Sequence, residues 1–163
     1  MEIATEEGIR LGNTIGFDPA AINAQAVDWA RAYSFELVKE LTETSREVIS
    51  RSIASFFSTP GMTRGDLVKL LDPAFGKVRA EMIAVTETTR AFSQAQNAYQ
   101  GHLSEQGIEM ERVWRTASDE LVCPVCAPLN GLPEEDWKGT YPDGPPRHPR
   151  CRCSTTLRIP VNA

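Results

Sequence analysis

All four cysteines of the chain, and one of its two histidines, lie in two short stretches. These are Cys123-Pro124-Val125-Cys126 and His148-Pro149-Arg150-Cys151-Arg152-Cys153. A Cys-x-x-Cys turn can aim two thiolates at one point, and the second stretch offers an imidazole and two more thiolates. Zinc takes four sulfur or nitrogen ligands, and a site closed by protein side chains alone is structural. Cys123, Cys126, His148, Cys151 and Cys153 are thus five candidates for four places. Spacing favours His148 with Cys151 as a second x-x knuckle. Cys153 competes, because a strand would put residues 151 and 153 on the same face.

Other chemistries of the same residues fit less well. A redox Cys-x-x-Cys wants a strand–helix βαβ setting, whereas this one runs into Ala127-Pro128-Leu129-Asn130-Gly131, a turn sequence. A disulfide framework belongs to small secreted chains, and no apolar leader is visible at the N-terminus. A zinc hydrolase of the nucleobase deaminase type needs His-x-Glu ahead of Pro-Cys-x-x-Cys. Here Pro149 and Arg150 follow His148, and His102-Leu103-Ser104-Glu105 also misses the spacing. Neither Gly-x-Ser-x-Gly nor a Gly-rich phosphate loop is present, so an enzyme is not expected.

At 163 residues, 41% hydrophobic and 24% charged, the chain suits one ordinary globular domain with room for a small appendage. No apolar run approaches the ~18 residues of a membrane-spanning helix. A net charge of −5 argues against sequence-independent nucleic-acid binding, which needs a basic face. Arg147, Arg150, Arg152 and Arg158 form a local basic cluster, read as solvated charge around the knuckles. Nucleic acid remains a partner that is not favoured. Without a visible targeting signal, the expected location is the cytoplasm or a particle assembled there.

The elements that must position the cluster follow from periodicity. Residues 1–17, with Gly8, Gly12 and Gly16, read as an irregular lead-in. Asp18-Pro19 opens a helix, and the spacing of Tyr33, Leu37, Leu41, Val48, Ile49, Ile53 and Phe56 continues it to about Phe57. Ala21 to Ala26 is a candidate for a separate short helix. Ser58-Thr59-Pro60-Gly61 stops the run, and Thr63 to Asp66 resembles a capping box. It starts a short helix with Leu67, Val68, Leu70 and Leu71, which Asp72-Pro73 and Gly76 break. A helix from Lys77 to about Gln100 then ends at Gly101 or Gly107, with His102 near its C-terminus as a weak metal candidate. Residues from Ile108 to Thr116 and from Ser154 to Pro160 read as two strands that pair beside the zinc. Pro133 to Pro149 reads as loop. The fold class is therefore α+β: a helical body over 1–107 and a zinc-stapled β unit over 108–163. A unit of about fifty residues has too little core of its own, and a metal supplies the missing stability.

The C-terminal pattern carries more than zinc. Trp114-Arg115-Thr116, Asp119, the first knuckle, Leu129-Asn130-Gly131, Pro145-Pro146, His148 to Cys153 and Pro160 occur in an order that resembles the phage Mu F-like minor head proteins. Ile83-Ala84-Val85-Thr86-Glu87 resembles that family's Ile-Ala-x-Thr-Glu helix. The resemblance spans about residues 25 to 160 and implies a phage head morphogenesis protein, located in the virion or procapsid. Its implied partners are the portal or capsid protein, with self-association also open, and its implied role is head assembly or DNA delivery at the portal vertex. Glu120, Leu121 and Val122 after Asp119 depart from the family pattern, which often has Arg or Lys there. Family members are usually longer, which leaves room for flanking domains. Beside the resemblance, Glu87 lies on the helix that must cover the β unit. With Arg90, it is a candidate support behind the ligands, its carboxylate accepting from the imidazole or from an Arg of the 147–152 cluster. The alternative is an exposed Glu paired with Arg90 or Arg79. Trp114 reads as core, and the helix from Val27 to Phe57 as a candidate partner contact.

Overall fold

The computed structural model describes residues 19–32 and 40–160. The expected lead-in, the Asp18 cap, and Tyr33 and Leu37 of the first helical stripe lie outside these residues. The described chain runs α1 (Pro19–Ala32), α2 (Glu43–Ser58), α3 (Arg64–Phe75), α4 (Lys77–Glu105), β1 (Glu111–Arg115), a helical turn α5 (Glu134–Trp137) and β2 (Ser154–Arg158). It is mainly helical with one two-stranded antiparallel sheet, the α+β class the periodicity indicated.

The run expected as one helix to Phe57 is interrupted. Glu40 takes a left-handed φ of 59°, and Thr42 caps a new helix by accepting from the Ser45 amide at 3.2 Å. Local capping at Thr42 thus overrides the apolar spacing that continues across it. In α3 the Thr63–Asp66 capping box forms in both directions. The helix passes through Asp72-Pro73 to Phe75, further than expected. Proline there forfeits one hydrogen bond in the last turn, and the break comes at Gly76, whose φ is 73°. Helix α4 passes Gly101 and closes at Gly107, the later of its two expected stops. Gly107 (φ 79°) donates to the Ser104 carbonyl at 2.9 Å and Ile108 donates to Leu103 at 2.9 Å, a Schellman closure.

Helix α4 is the axis of the molecule. It packs against α1, α2 and α3 on one side and both strands on the other. Its first side is apolar: Ala80, Ile83, Ala84, Ala91 and Ala95 are buried with Ile22, Ala26 and Ala30 of α1, Ile49 and Ile53 of α2, and Leu67 and Leu71 of α3. Small side chains let these helices approach closely. The other side is polar. Gln96 accepts from the buried Thr155 hydroxyl of β2, and Gln100 donates to the Met110 carbonyl at 2.8 Å and to Glu134 at 3.0 Å.

In the sheet, Val113 faces Thr156 and Trp114 faces Thr155. The stretch 133–149, expected as loop throughout, contains α5, which places Trp137 edge-on to Trp114 at 5.4 Å. The signal was short: Glu134-Glu135-Asp136 in a first turn after Pro133, with no room for a helical period. Glu134 forms a two-pronged ion pair with Arg112 at 2.7 and 3.2 Å, and Arg112 has no exposed surface.

Candidate metal centre

The first knuckle lies between the end of β1 and a 3-10 turn at Ala127–Leu129. The amides of Cys126 and Ala127 both donate to the Cys123 carbonyl at 3.0 Å, and the Cys126 amide lies 3.3 Å from the Cys123 sulfur. The second knuckle immediately precedes β2. The Cys151 amide closes it on the His148 carbonyl at 3.1 Å, and Arg150 between them takes a φ of 63°.

The five donors predicted from spacing come together as two overlapping triads. Donor atoms of Cys123, Cys126 and His148 lie within 4.8 Å of one another, as do those of Cys126, Cys151 and Cys153. His148 Nε2 is 3.3 Å from the Cys123 sulfur and 3.8 Å from that of Cys126. Around a tetrahedral ion with bonds of about 2.3 Å to sulfur and 2.0 Å to nitrogen, two sulfurs sit about 3.8 Å apart and sulfur and nitrogen about 3.5 Å. The two spacings from His148 in the first triad match that sulfur–nitrogen distance to within about 0.3 Å, and Cys126 is the sulfur the two triads share. His148 Nδ1 is 2.8 Å from the Pro149 carbonyl. A carbonyl only accepts, so Nδ1 carries a proton and Nε2 is the ring nitrogen that faces the sulfurs.

The thiols divide by charge. Burial opposes a thiolate at Cys123, but hydrogen bonds from Cys126, His148 and the Val125 amide outweigh it and bring it down to about 7. At Cys151, a hydrogen bond from Cys153 leads. The backbone amides of Cys153 and Arg147 and the charge of His148 add to it, bringing Cys151 to about 5 despite burial. Burial, then the contacts with Cys123 and Cys151, push Cys126 up to about 12. Donation to Cys151, and burial, push Cys153 up as well. Burial pulls His148 down, but the Pro149 carbonyl and the neighbouring thiolates carry it above its ordinary value. Burial and hydrogen bonding thus favour a thiolate at Cys151, draw Cys123 toward one, and keep Cys126 and Cys153 neutral. A divalent cation among them would supply the positive charge that lets Cys126 ionise too.

The cluster is tied to the rest of the molecule on two sides. Helix α4 holds the second knuckle: the Arg150 amide donates to Thr86 Oγ1 at 2.9 Å, and Thr89 Oγ1 donates to the Cys151 carbonyl at 3.2 Å. Asp119, ahead of the first knuckle, takes both prongs of Arg152 at 2.6 and 2.7 Å. That pairing holds Asp119 below the usual carboxylate range.

A family model described as Phage Mu protein F like protein matches residues 37–156, which include both knuckles, both anchoring threonines and β1. The chain belongs to the Phage Mu protein F like family. No curated protein and no solved structure matches it. Membership points to a phage head morphogenesis protein that associates with other head components, in the virion or procapsid. In this Mu F-like chain no helix among the described residues is long and apolar enough to cross a membrane.

The remaining candidates lie apart from the cluster. At about 100° per residue, Glu87 points about 100° away from Thr86 and 160° from Thr89. It therefore shares a side with the buried Ala80, Ala84 and Ala91, not with the knuckles. It has no exposed surface, and neither carboxyl oxygen has a hydrogen-bond partner, so it accepts from neither His148 nor the Arg147–Arg152 cluster. Arg90 Nη2 lies 3.7 Å from Asp143. His102 is exposed and bonds Gln106 at 3.0 Å. Of the basic cluster, Arg147 stacks over Tyr141 and Arg158 pairs with Glu111 at 2.7 Å, so much of its charge is engaged locally. Thr86 and Thr89, the residues that do support the site, carried only a faint signal: polar side chains three apart on one helix face.

Proposed function

We propose that the chain is a non-enzymatic minor head protein whose C-terminal unit is held by one structural zinc, and that it binds at the portal vertex during head assembly or DNA delivery. The observation that carries this reading is the family match over residues 37–156 with all five soft donors inside it. Cys123, Cys126, His148 and Cys151 would hold the ion. Cys123 and Cys151 are the two sulfurs that receive backbone amide bonds, and such bonds favour a thiolate. Cys153 remains a neutral thiol beside Cys151. The ion would supply only cohesion, because four protein ligands leave no open position for water or substrate.

Metal content of the purified chain, by mass spectrometry under native and denaturing conditions, tests the centre. One zinc per chain, lost with unfolding, is expected, and it should survive Cys153→Ser but not Cys151→Ser. Absence of metal, with masses lowered by pairs of hydrogens, would replace the zinc by disulfides. Co-sedimentation with the portal protein of the parent phage tests the role. Retention on duplex DNA instead would favour a nucleic-acid module.

A further inference from the structure

Two adjoining clefts run along α4 on the side of the second knuckle. One, of about 420 Å³, is lined by Phe75, Lys77, Val78, Met82 and Arg150 among others. The other, also about 420 Å³, lies between Glu81 and Val85 of α4 and Leu121, Arg150 and Arg152 of the knuckle loops. Arg150 is common to both. Val78 and Leu121, one on each cleft, are 70% and 77% exposed, the two most exposed of the large apolar side chains among the described residues. Arg152 is already paired with Asp119. Lys77, Arg79 and Arg150 line the groove against the single acid Glu81, so it is net cationic.

Arg150 is an unexpected residue for its position. Its φ of 63° is the left-handed conformation that glycine adopts without strain and a long side chain rarely does. The turn would close more easily with glycine. What arginine adds is a guanidinium laid across the groove, with Nη2 3.3 Å from the Val78 carbonyl and its remaining donors available.

We infer that this groove is a docking site for an acidic, apolar-studded peptide segment of another head protein. Its carboxylates would meet Arg150 and Lys77, and its apolar side chains would cover Val78 and Leu121. Charge complementarity selects this occupant: a local cationic edge on a chain of net charge −5 attracts acidic ligands to that edge. Phosphate chemistry would have no use for the exposed Val78 and Leu121, which favours a peptide over nucleic acid. The inference rests on the head-component reading for the origin of the partner, not for its chemistry.

Fluorescence anisotropy of a labelled amphipathic helical peptide, Leu on one face and Glu on its flanks, tests the groove on the full, metal-loaded chain. The wild-type chain should bind it saturably, and the Gln-for-Glu peptide less well. Arg150→Gly should keep metal content and melting temperature, because glycine suits the turn, yet weaken binding by about tenfold or more. Leu121→Glu, at an exposed position, should weaken it too. Equal binding by Arg150→Gly, no saturable binding by the wild type, or displacement of the peptide by a duplex DNA oligonucleotide overturns the inference. A portal that ignores the chain would overturn the earlier reading while leaving this assay standing. Portal binding that survives Arg150→Gly alongside a negative peptide assay would do the reverse.

Discussion

The two sides of α4 show two ways of holding a fold. Toward α1, α2 and α3, the helix presents alanine and isoleucine, and the contact is close apolar packing spread over many residues. Toward the β unit it presents Thr86, Thr89, Ser93, Gln96 and Gln100, and the contact is a row of hydrogen bonds to particular atoms. The helical body draws on burial that no single residue controls. The β unit has two five-residue strands, a core of two tryptophans and three cysteines, and a buried ion pair. Its cohesion is concentrated in a few groups, so single changes there should have large and local effects. The polar stripe on α4 also means that losing the β unit would bare side chains that water can solvate.

The largest test of that contrast is removal of the proposed metal, by chelation under mild denaturant or by Cys126→Ser. Binding energies for structural zinc are of the order of 10 kcal/mol, more than so small a core can replace. Limited proteolysis should then cut freely beyond about residue 108 while the α2–α4 region stays resistant and helical circular dichroism persists. Unchanged protease resistance beyond Ile108 would break the comparison.

Next in size is Glu134→Ala. Burial opposes its ionisation, but the bonds from Arg112, Lys138 and Gln100 outweigh it and hold it at about 2. Truncation strands Arg112 as an uncompensated buried charge, at a loss of about 3–5 kcal/mol. A urea transition followed by Trp114 and Trp137 fluorescence should shift by that amount, with the helical signal moving less.

The helical body has one directional weakness of its own. Burial lifts the Glu87 carboxyl to about 7, opposed by the charge of Arg90. The folded value lies above the ordinary 4.5, so the stability tied to the protonated acid is fully present below about pH 4.5 and is lost as pH rises through 7. The difference is about 3 kcal/mol. Glu87→Gln should flatten the pH dependence between 5 and 8 as read by urea midpoints. A slope equal to that of the parent chain would place the titration elsewhere.

The smallest expected effect sharpens the boundary itself. Thr89→Val removes one hydrogen bond to the second knuckle and should cost about 1 kcal/mol. It should also quicken metal loss to a chelator. A variant with unaltered release kinetics would mean that α4 covers the centre without steadying it.

Much of this arrangement is readable from residue types along the chain. The donor set, the capping box at Thr63, the stop at Pro60-Gly61, the closing glycine at 107 and the two strands all follow from local chemistry, because caps, turns and knuckles are satisfied within a few residues. The break at Thr42 and the turn at Glu134 escape for the converse reason: each is shorter than a helical period, and neighbouring apolar spacing masks it. Glu87 is the clearest failure of local reading. One residue's rotation along α4 decides whether it meets the knuckles or the helical core, and a charged residue beside Thr86 reads as part of the polar side although its rotation places it on the apolar one.

The amino-acid sequence by itself determined that this protein has a helical body, a C-terminal cluster of five soft donors, and the motif order of its family, since these depend on composition, spacing and short-range bonds. Tertiary structure alone decided how the donors share space around Cys126, which threonines anchor them, that Arg112 and Glu134 pair out of water, and that Arg150 bridges two clefts. Those outcomes join residues tens of positions apart, and their geometry exists only once α4 has been packed on both of its sides.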